Sequence, residues 1–298
     1  MKRIVLTTST SCLDYLNVNH NIRSIHQHLT INNVSFLDGH NISIDKLQKM
    51  IWEHSNTTMS TAPASDAEVL QILHELNAQN YDEVLIITHS ARLSQSFEMI
   101  SRVKDQFLAN TQTAMKIWVL DSKQVNFAQG IMALDANEMF LNGQSISEIE
   151  QHLTLLNNHH QALFVVDDLS YLIKSKRLSA PAGLFANLFD IKPMLEIQKD
   201  GKIEAVQKVR KIERAIQFMV DGIGDLVGDK YCLPYLLNAG NPNLVEYTKQ
   251  VIHDRLGLDN VLVTPVSPTS VATHGTNTVG FGVFVKYIPN SGHLFQHQ

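Results

Sequence analysis

The chain has 298 residues, of which 44% are hydrophobic and 18% are charged, and its formal net charge is −5 at pH 7. This composition is typical of a folded globular protein, and the length predicts two α/β domains. The negative net charge gives no electrostatic reason to expect a nucleic-acid partner. No apolar run is long enough to predict a membrane span.

The first residues predict a β-strand over residues 3–7, because the chain turns polar after three apolar positions, and they do not resemble a signal peptide. Cys12 and Cys232 are too far apart in sequence to indicate a disulfide framework or a cysteine metal site. We therefore expect a cytoplasmic protein. The 14 histidines are scattered, so we expect solvated histidines and no metal site.

The first half of the chain predicts alternating strands and helices. Strands are predicted over residues 3–7, 83–88 and 116–121, and helices are predicted to begin near 65, 128 and 145. The strands are almost continuously apolar, which is typical of strands buried on both faces of a parallel sheet. Capping boxes at Ser65–Glu68 and at Ser145–Glu148 mark two of the helix starts.

A polar patch over residues 157–161 predicts a domain boundary, which divides the chain into domains 1–158 and 159–298. The second half predicts a mixed α/β domain. Its predicted strands cover 162–166, a hairpin over 195–206, 261–263 and 279–287, and its predicted helices cover 213–220 and 244–256. Asp200-Gly201 suits the hairpin turn, while Gly280 and Gly282 inside the last strand predict that another group approaches the backbone closely.

Four loops rich in hydroxyl side chains are predicted near strand ends. They cover residues 7–11, 60–63, 88–96 and 121–123. Open parallel sheets bind ligands beyond the carboxyl ends of their strands. Hydroxyls and free amides at helix N-termini can hold an anionic group without a metal. The sequence therefore predicts an anion-binding site in these loops.

Several motifs, taken in chain order, resemble those of the DegV family. Residues 168–178 are similar to its D-[TS]-L-x-Y-L-x-K-x-G-R-I run, and residues 191–201 are similar to the I-K-P motif and the glycine that follow it. The four loops resemble T-D-S-T, T-S-x-P, S-S-x-L-S-G-T-Y and D-S-x. Thr8 stands where an aspartate is usual, Ala91 and Gln95 replace a serine and a glycine, and the two hydroxyl residues of the second loop are exchanged.

The largest departure from the family pattern is near the C-terminus. The family usually has H-x-G-P-G-x-x-G, and residues 273–280 lack the Gly-Pro-Gly. A gapless alignment sets Thr273 on the family's histidine, and a shift of one residue restores His274. The resemblance nevertheless covers nearly the whole chain.

The resemblance implies a two-domain DegV-like α/β fold. It has an N-terminal, mostly parallel sheet flanked by helices, a C-terminal mixed α/β domain, and a long-chain fatty acid between them. It implies no cofactor and no catalysis by this chain, and it implies a separate fatty acid kinase subunit as the partner that phosphorylates the bound lipid. By position, the residues implied to bind the carboxylate are Ser60, Thr61, Ser90 and His274. Arg177 is implied to support the head group or to dock a partner.

Other interpretations remain open at this level. A serine hydrolase or acyl transferase would need G-x-S-x-G or S-x-x-K with a histidine base, and neither motif is present. His89 adjoins Ser90, but neighbours on a strand point to opposite faces. A diverged DegV fold with another ligand or none is the second alternative. Phe185, Leu188 and Phe189 fit either a core or a wall of an acyl tunnel.

Overall fold

The computed structural model describes residues 1–53, 57–175, 177–178, 191–228 and 231–295. The strands are β1 (Arg3–Thr8), β2 (Arg23–Ile25), β3 (His28–Ile31), β4 (Val34–Leu37), β5 (Met59–Ala62), β6 (Glu83–Thr88), β7 (Lys116–Asp121), β8 (His160–Val166), β9 (Lys192–Ile197), β10 (Ile203–Val209), β11 (Cys232–Asn238), β12 (Leu262–Pro265) and β13 (Thr278–Val285). The helices are α1 (Ile44–Glu53), α2 (Asp66–Ala78), α3 (Ser96–Asn110), α4 (Phe127–Leu141), α5 (Ile146–Asn158), α6 (Ser170–Lys174), α7 (Ile212–Val227), α8 (Pro242–Leu256) and α9 (Pro268–His274).

The first sheet is parallel, with the strand order β2-β1-β6-β7. Alternate residues of its central strands enter different cores. Leu85 and Ile87 of β6 pack in the core that includes α4, whereas Ile86 packs in the core that includes α2 and α3. Burial on both faces explains why the sequences of these strands are continuous apolar runs. The predicted parallel strands are confirmed.

Both predicted capping boxes are present. The Ser65 hydroxyl accepts from the backbone N–H of Glu68, and the Glu68 side chain accepts from the backbone N–H of Ser65. Ser145 and Glu148 form the same reciprocal pair at the start of α5. These bonds satisfy amide groups that have no partner within the helix, so α2 and α5 begin where the sequence predicts.

The second sheet is mixed, with the strand order β10-β9-β8-β13-β11-β12. The predicted hairpin is formed by β9 and β10, and Gly201 in its turn has a φ of 87°, which favours glycine. The predicted division at 158/159 falls between α5 and β8, and it remains a prediction. One continuous core crosses this position, since the Phe127 ring of α4 lies 4.7 Å from the Tyr235 ring of β11.

A third, antiparallel sheet has the order β4-β3-β5 and was not expected from the sequence. The interpretation of residues 60–63 as a loop is wrong for residues 60–62, which belong to β5. Strand β5 pairs with β3, so that Thr61 lies opposite Leu29. These strands have four residues each, and the sheet is partly exposed. Four residues are the shortest run in which alternation indicates a strand, so the local signal is minimal.

The expectation of solvated histidines is wrong for four residues, because His89, His152, His160 and His274 are buried. His152 bonds to the carboxylate of Asp135, and the other three are held mainly by neutral groups. In the part of the chain that the structure describes, no group of three or more His, Cys, Asp and Glu side chains is arranged to hold a metal ion. Within the same ranges, no helix is long and apolar enough to span a membrane.

The close approach predicted at Gly282 comes from within the sheet. A Cβ added to Gly282 would overlap the ring of Tyr235, which is fully buried and whose hydroxyl lies 2.6 Å from His160 Nε2. We expect Gly282→Ala to lower the free energy of unfolding by about 1–3 kcal/mol, because the fixed ring cannot move aside. Urea unfolding measures this. Gly222→Ala in α7 is the control, since its Cβ would meet only the flexible end of Leu163, and equal stability of the two variants would contradict the prediction.

Candidate functional site

A cavity lies between the first and second sheets and encloses about 800 Å³ of empty space, part of it open to solvent. Its apolar lining comes from both halves of the chain and comprises Ala62, Pro63, Leu93, Val125, Phe164, Leu172, Ile197, Ile203, Leu237 and Val266. The walls therefore suit a hydrocarbon group.

Polar residues reach the cavity from the carboxyl edge of the parallel sheet. Thr10 follows β1, Gln27 follows β2 and His89 follows β6, and all three line the cavity. This is the edge at which the sequence predicts ligand binding. Further polar lining residues come from β5, the loop before α3, α9 and β13: Thr61, Ser94, Thr269, Ser270, Thr273, His274 and Thr278.

Arg177 supplies the charge in this lining. Its guanidinium donates from Nε to the Leu93 carbonyl (3.1 Å) and from Nη2 to the Thr61 hydroxyl (3.0 Å). No other described residue of the lining carries a permanent charge. Burial lowers the pKa of Arg177, but an arginine stays charged in proteins. A half-buried cation without a carboxylate partner in the lining makes this cavity suitable for an anion.

His89 is held in its neutral form. Its Nδ1 lies 3.0 Å from the Thr8 hydroxyl, which also accepts from the side-chain amide of Gln129 (2.8 Å). Burial, and then the nearby charge of Arg177, lower the pKa of His89 to about 3. Thr8 stands where the DegV motif usually has an aspartate, so this loop contributes a neutral polar network to the site.

His274 ends α9, and its orientation is set by a backbone bond. Its Nδ1 lies 3.0 Å from the Gly275 carbonyl, which can only accept a hydrogen bond, so Nδ1 carries the proton. Burial lowers the pKa of His274 to about 4, although the bond to Gly275 acts in the opposite direction. At neutral pH its Nε2 is therefore an acceptor. Thr273 also lines the cavity, so both residues considered for the family's histidine position lie there.

Two residues that the resemblance implies as ligands lie outside the lining. Ser60 is exposed on β5, opposite Thr30 of β3. Ser90 is fully buried and donates its hydroxyl proton to the carbonyl of Gly201 (2.8 Å), so it connects the loop after β6 to the β9–β10 turn. The structure brings Thr61, Arg177 and His274 to the cavity, and it places Ser60 and Ser90 beside it.

The adjacent His89 and Ser90 do not form a nucleophile and base. The His89 ring bonds to the Thr8 hydroxyl, whereas the Ser90 hydroxyl donates to the carbonyl of Gly201. Both residues follow the end of β6 at Thr88, so the two side chains are kept apart by their separate partners and not by the alternation of a strand. The predicted helical segment 184–190, with Phe185, Leu188 and Phe189, lies outside the described residues.

Gln27 and His89 are lining residues that the motif comparison did not select. His89 immediately precedes the S-S-x-L-S-like loop, so its position after a buried strand is a signal that could have identified it. Gln27 lies in the stretch where the sequence predicted no element. Its proximity to the site depends on the pairing of β1 with β2 and of β3 with β5.

A family model described as "Uncharacterised protein, DegV family" matches residues 2–286. The chain belongs to the DegV family. A DegV domain-containing protein of Staphylococcus aureus (strain MRSA252), SAR1438, is 29% identical over 290 residues, which cover 96% of this chain and 99% of that protein. A DegV domain-containing protein of Streptococcus pyogenes serotype M1 is 27% identical over 288 residues, 95% of this chain and 99% of that protein.

Solved DegV structures have the same fold. The fatty acid binding DegV family protein SAG1342 from Streptococcus agalactiae has a TM-score of 0.81 at 20% identity, covering 95% of this chain and 98% of that one. The Streptococcus pneumoniae fatty acid kinase (Fak) B3 protein loaded with linoleic acid has a TM-score of 0.76 at 18% identity, covering 96% and 100%. The predicted DegV-like α/β fold, with a parallel sheet flanked by helices and a mixed sheet, is confirmed.

Proposed function

We propose that this protein binds a long-chain fatty acid in the cavity between its sheets and presents the carboxylate to a separate fatty acid kinase. The observation that carries the proposal is an apolar cavity whose one permanently charged described lining residue is the cation Arg177. An amphiphile with an anionic head group matches both features. The fatty acids bound by the related S. agalactiae and S. pneumoniae proteins support the same ligand class.

The energetics favour an acyl chain as the main source of affinity. Each buried methylene contributes about 0.8 kcal/mol, so a long chain in apolar walls binds strongly without polar contacts. The carboxylate, in contrast, is costly to bury unless it is paired and hydrogen-bonded. Arg177 and the neutral donors around it meet this requirement, so they orient the lipid more than they hold it.

Within this proposal, Thr61 and Arg177 bind the carboxylate directly and His274 lies beside it. A carboxylate near the ring favours the charged form of His274 and would make its Nε2 a donor. Ser60 and Ser90 act indirectly. Ser60 precedes Thr61 on β5, and Ser90 ties the loop that contains Leu93, whose carbonyl accepts from Arg177, to the hairpin turn.

The role of a presenting subunit is the finer part of the proposal. In this role the chain performs no catalysis and needs no cofactor other than the bound lipid. The Fak B3 relationship supports it, because that protein is named as part of a fatty acid kinase. Incubation of the lipid-loaded protein with a bacterial fatty acid kinase and ATP tests it, and no transfer of phosphate to the lipid would contradict it.

Mass spectrometry of organic extracts from the natively folded protein tests the binding function. We expect a stoichiometric long-chain fatty acid, whose length and saturation the spectrum reports. An empty extract that stays empty after incubation with a fatty-acid mixture would contradict the proposal and favour a diverged fold with another ligand or none. Turnover of an added ester would instead support a hydrolase.

Thr61→Val is expected to weaken palmitate binding about tenfold, because a hydroxyl donor to a charged oxygen is lost while the side-chain shape is kept. Isothermal titration calorimetry with delipidated protein measures the affinity. Ser60→Ala is the control on the same strand, since Ser60 is exposed and outside the lining. Wild-type affinity in Thr61→Val would show that Thr61 does not bind the head group.

A further inference from the structure

Gln27 presents a buried hydrogen-bond donor without a partner. The residue is 4% exposed, it lines the cavity, and its Nε2 has no hydrogen-bond partner among the described residues. Buried polar groups are nearly always hydrogen-bonded, and an unpaired one lowers stability. Other unpartnered buried atoms, such as those of Gln124 and Gln161, belong to residues outside this lining. Among the described lining residues, Gln27 is therefore the one that carries an unpaired buried side-chain atom.

The remaining polar atoms of Gln27 are all occupied, which fixes the direction of its side chain. The backbone N–H donates to the Ser9 hydroxyl (3.0 Å), and the carbonyl accepts from the backbone N–H of Asp38 (2.9 Å). The side-chain Oε1 accepts from the Ser96 hydroxyl (3.1 Å). With Oε1 held by Ser96, the amide nitrogen is the group of Gln27 left to bind a ligand.

The position of Gln27 in the fold relates it to the Thr61–Arg177 pair. Gln27 immediately precedes β3, whose residue Leu29 lies opposite Thr61 of β5. Its anchor Ser96 begins α3, directly after the loop whose Leu93 carbonyl accepts from Arg177. Both segments that hold Arg177 are therefore direct neighbours of the segment that carries Gln27.

We propose that Gln27 is a further head-group residue, whose Nε2 donates a hydrogen bond to an oxygen of the ligand's carboxylate. The inference rests on the proposed function and adds a neutral donor to the charged donor Arg177. A ligand oxygen would accept a hydrogen bond from this unpaired N–H. Part of the binding free energy would then come from satisfying a donor that has no partner in the protein alone. A donor at this position favours an ionised acid over a neutral ester, because hydrogen bonds to charged acceptors are about twice as strong.

The affinities of delipidated protein for palmitate and for methyl palmitate test this inference. We expect Gln27→Met to weaken palmitate binding about tenfold and to change ester binding little, because the charge-assisted bond is lost and the volume is kept. We expect Gln27→Glu to reduce the preference for the acid further, since two carboxylates would then face each other. Gln124→Met is the matched control, because Gln124 is also buried with one unpartnered atom but lies outside the lining.

The outcomes separate this inference from the proposed function. If the wild type binds palmitate and prefers it to the ester, while Gln27→Met retains the same preference, Gln27 does not bind the head group. Equal losses for both ligands would assign Gln27 to packing, and a gain in palmitate affinity would show that its carbonyl faces the ligand. Absence of palmitate binding in the wild type would overturn both proposals.

Discussion

Replacing Arg177 by methionine is expected to weaken palmitate binding about 100-fold, which is the largest effect we predict for one side chain in the cavity. The substitution removes the charge that compensates the buried carboxylate, and it frees the Leu93 carbonyl and the Thr61 hydroxyl from their shared donor. Binding of methyl palmitate is expected to change much less. Calorimetric titration of both ligands measures the difference.

Two substitutions make this prediction specific. Arg177→Lys keeps the charge but cannot direct two parallel donors to Leu93 and Thr61, so an intermediate affinity is expected. Arg92→Met removes a positive charge from the same loop region, but Arg92 is 57% exposed, pairs with Asp200 and lies outside the lining. Equal losses in Arg92→Met and Arg177→Met would mean that net charge, and not this contact, determines binding.

Lowering the pH from 8 to 5 is expected to reduce the free energy of unfolding by several kcal/mol. Burial lowers the pKa of His89 and His160 to about 3 and that of His274 to about 4, with the charges of Arg177 and Lys199 contributing to the first two. Histidines in the unfolded chain titrate near pH 6.5. Below that pH the unfolded state binds protons that the folded state does not, so stability falls as the pH falls.

At pH 5 each of these histidines contributes a loss of about 2 kcal/mol. Burial raises the pKa of Asp38, which acts in the opposite direction as the pH falls and reduces the total. Urea unfolding between pH 8 and pH 5 measures the slope. We expect the free energy of unfolding of His160→Phe to depend less steeply on pH, by about one proton, and His293→Gln, at an exposed histidine, is the control variant. Constant stability over this range would contradict the burial of neutral histidines.

The elements that the sequence predicts well have signals contained within a few neighbouring residues. The apolar runs 83–88 and 116–121 coincide with β6 and β7, and the capping boxes at Ser65 and Ser145 begin α2 and α5. The small sheet formed by β3, β4 and β5 was missed because each strand has only four residues, which is the shortest run in which an alternating pattern can be recognised. This sheet is defined by the pairing of its strands, which a local sequence pattern does not show.

For the candidate site, too, the sequence predicted the local features and not the contacts between distant segments. The hydroxyl-rich loops predicted an anion site at the carboxyl edge of the parallel sheet, and Thr10, Thr61 and Ser94 from these loops do line the cavity. The local pattern could not separate Thr61 from its neighbour Ser60, since both are hydroxyl residues on one strand. In the folded protein Thr61, Ala62 and Pro63 line the cavity, whereas Ser60 is exposed outside it.

The sequence by itself determined the DegV family, the parallel and mixed sheets, and the starts of α2 and α5, because apolar periodicity, capping and ordered motifs are local properties of the chain. The tertiary structure alone decided which polar groups meet. Arg177 bonds to Thr61 across 116 positions, Ser90 bonds to Gly201 across 111, and Gln27 reaches the cavity through strand pairing. Such contacts form between segments distant in the chain, and burial then sets the charge of the groups that they enclose.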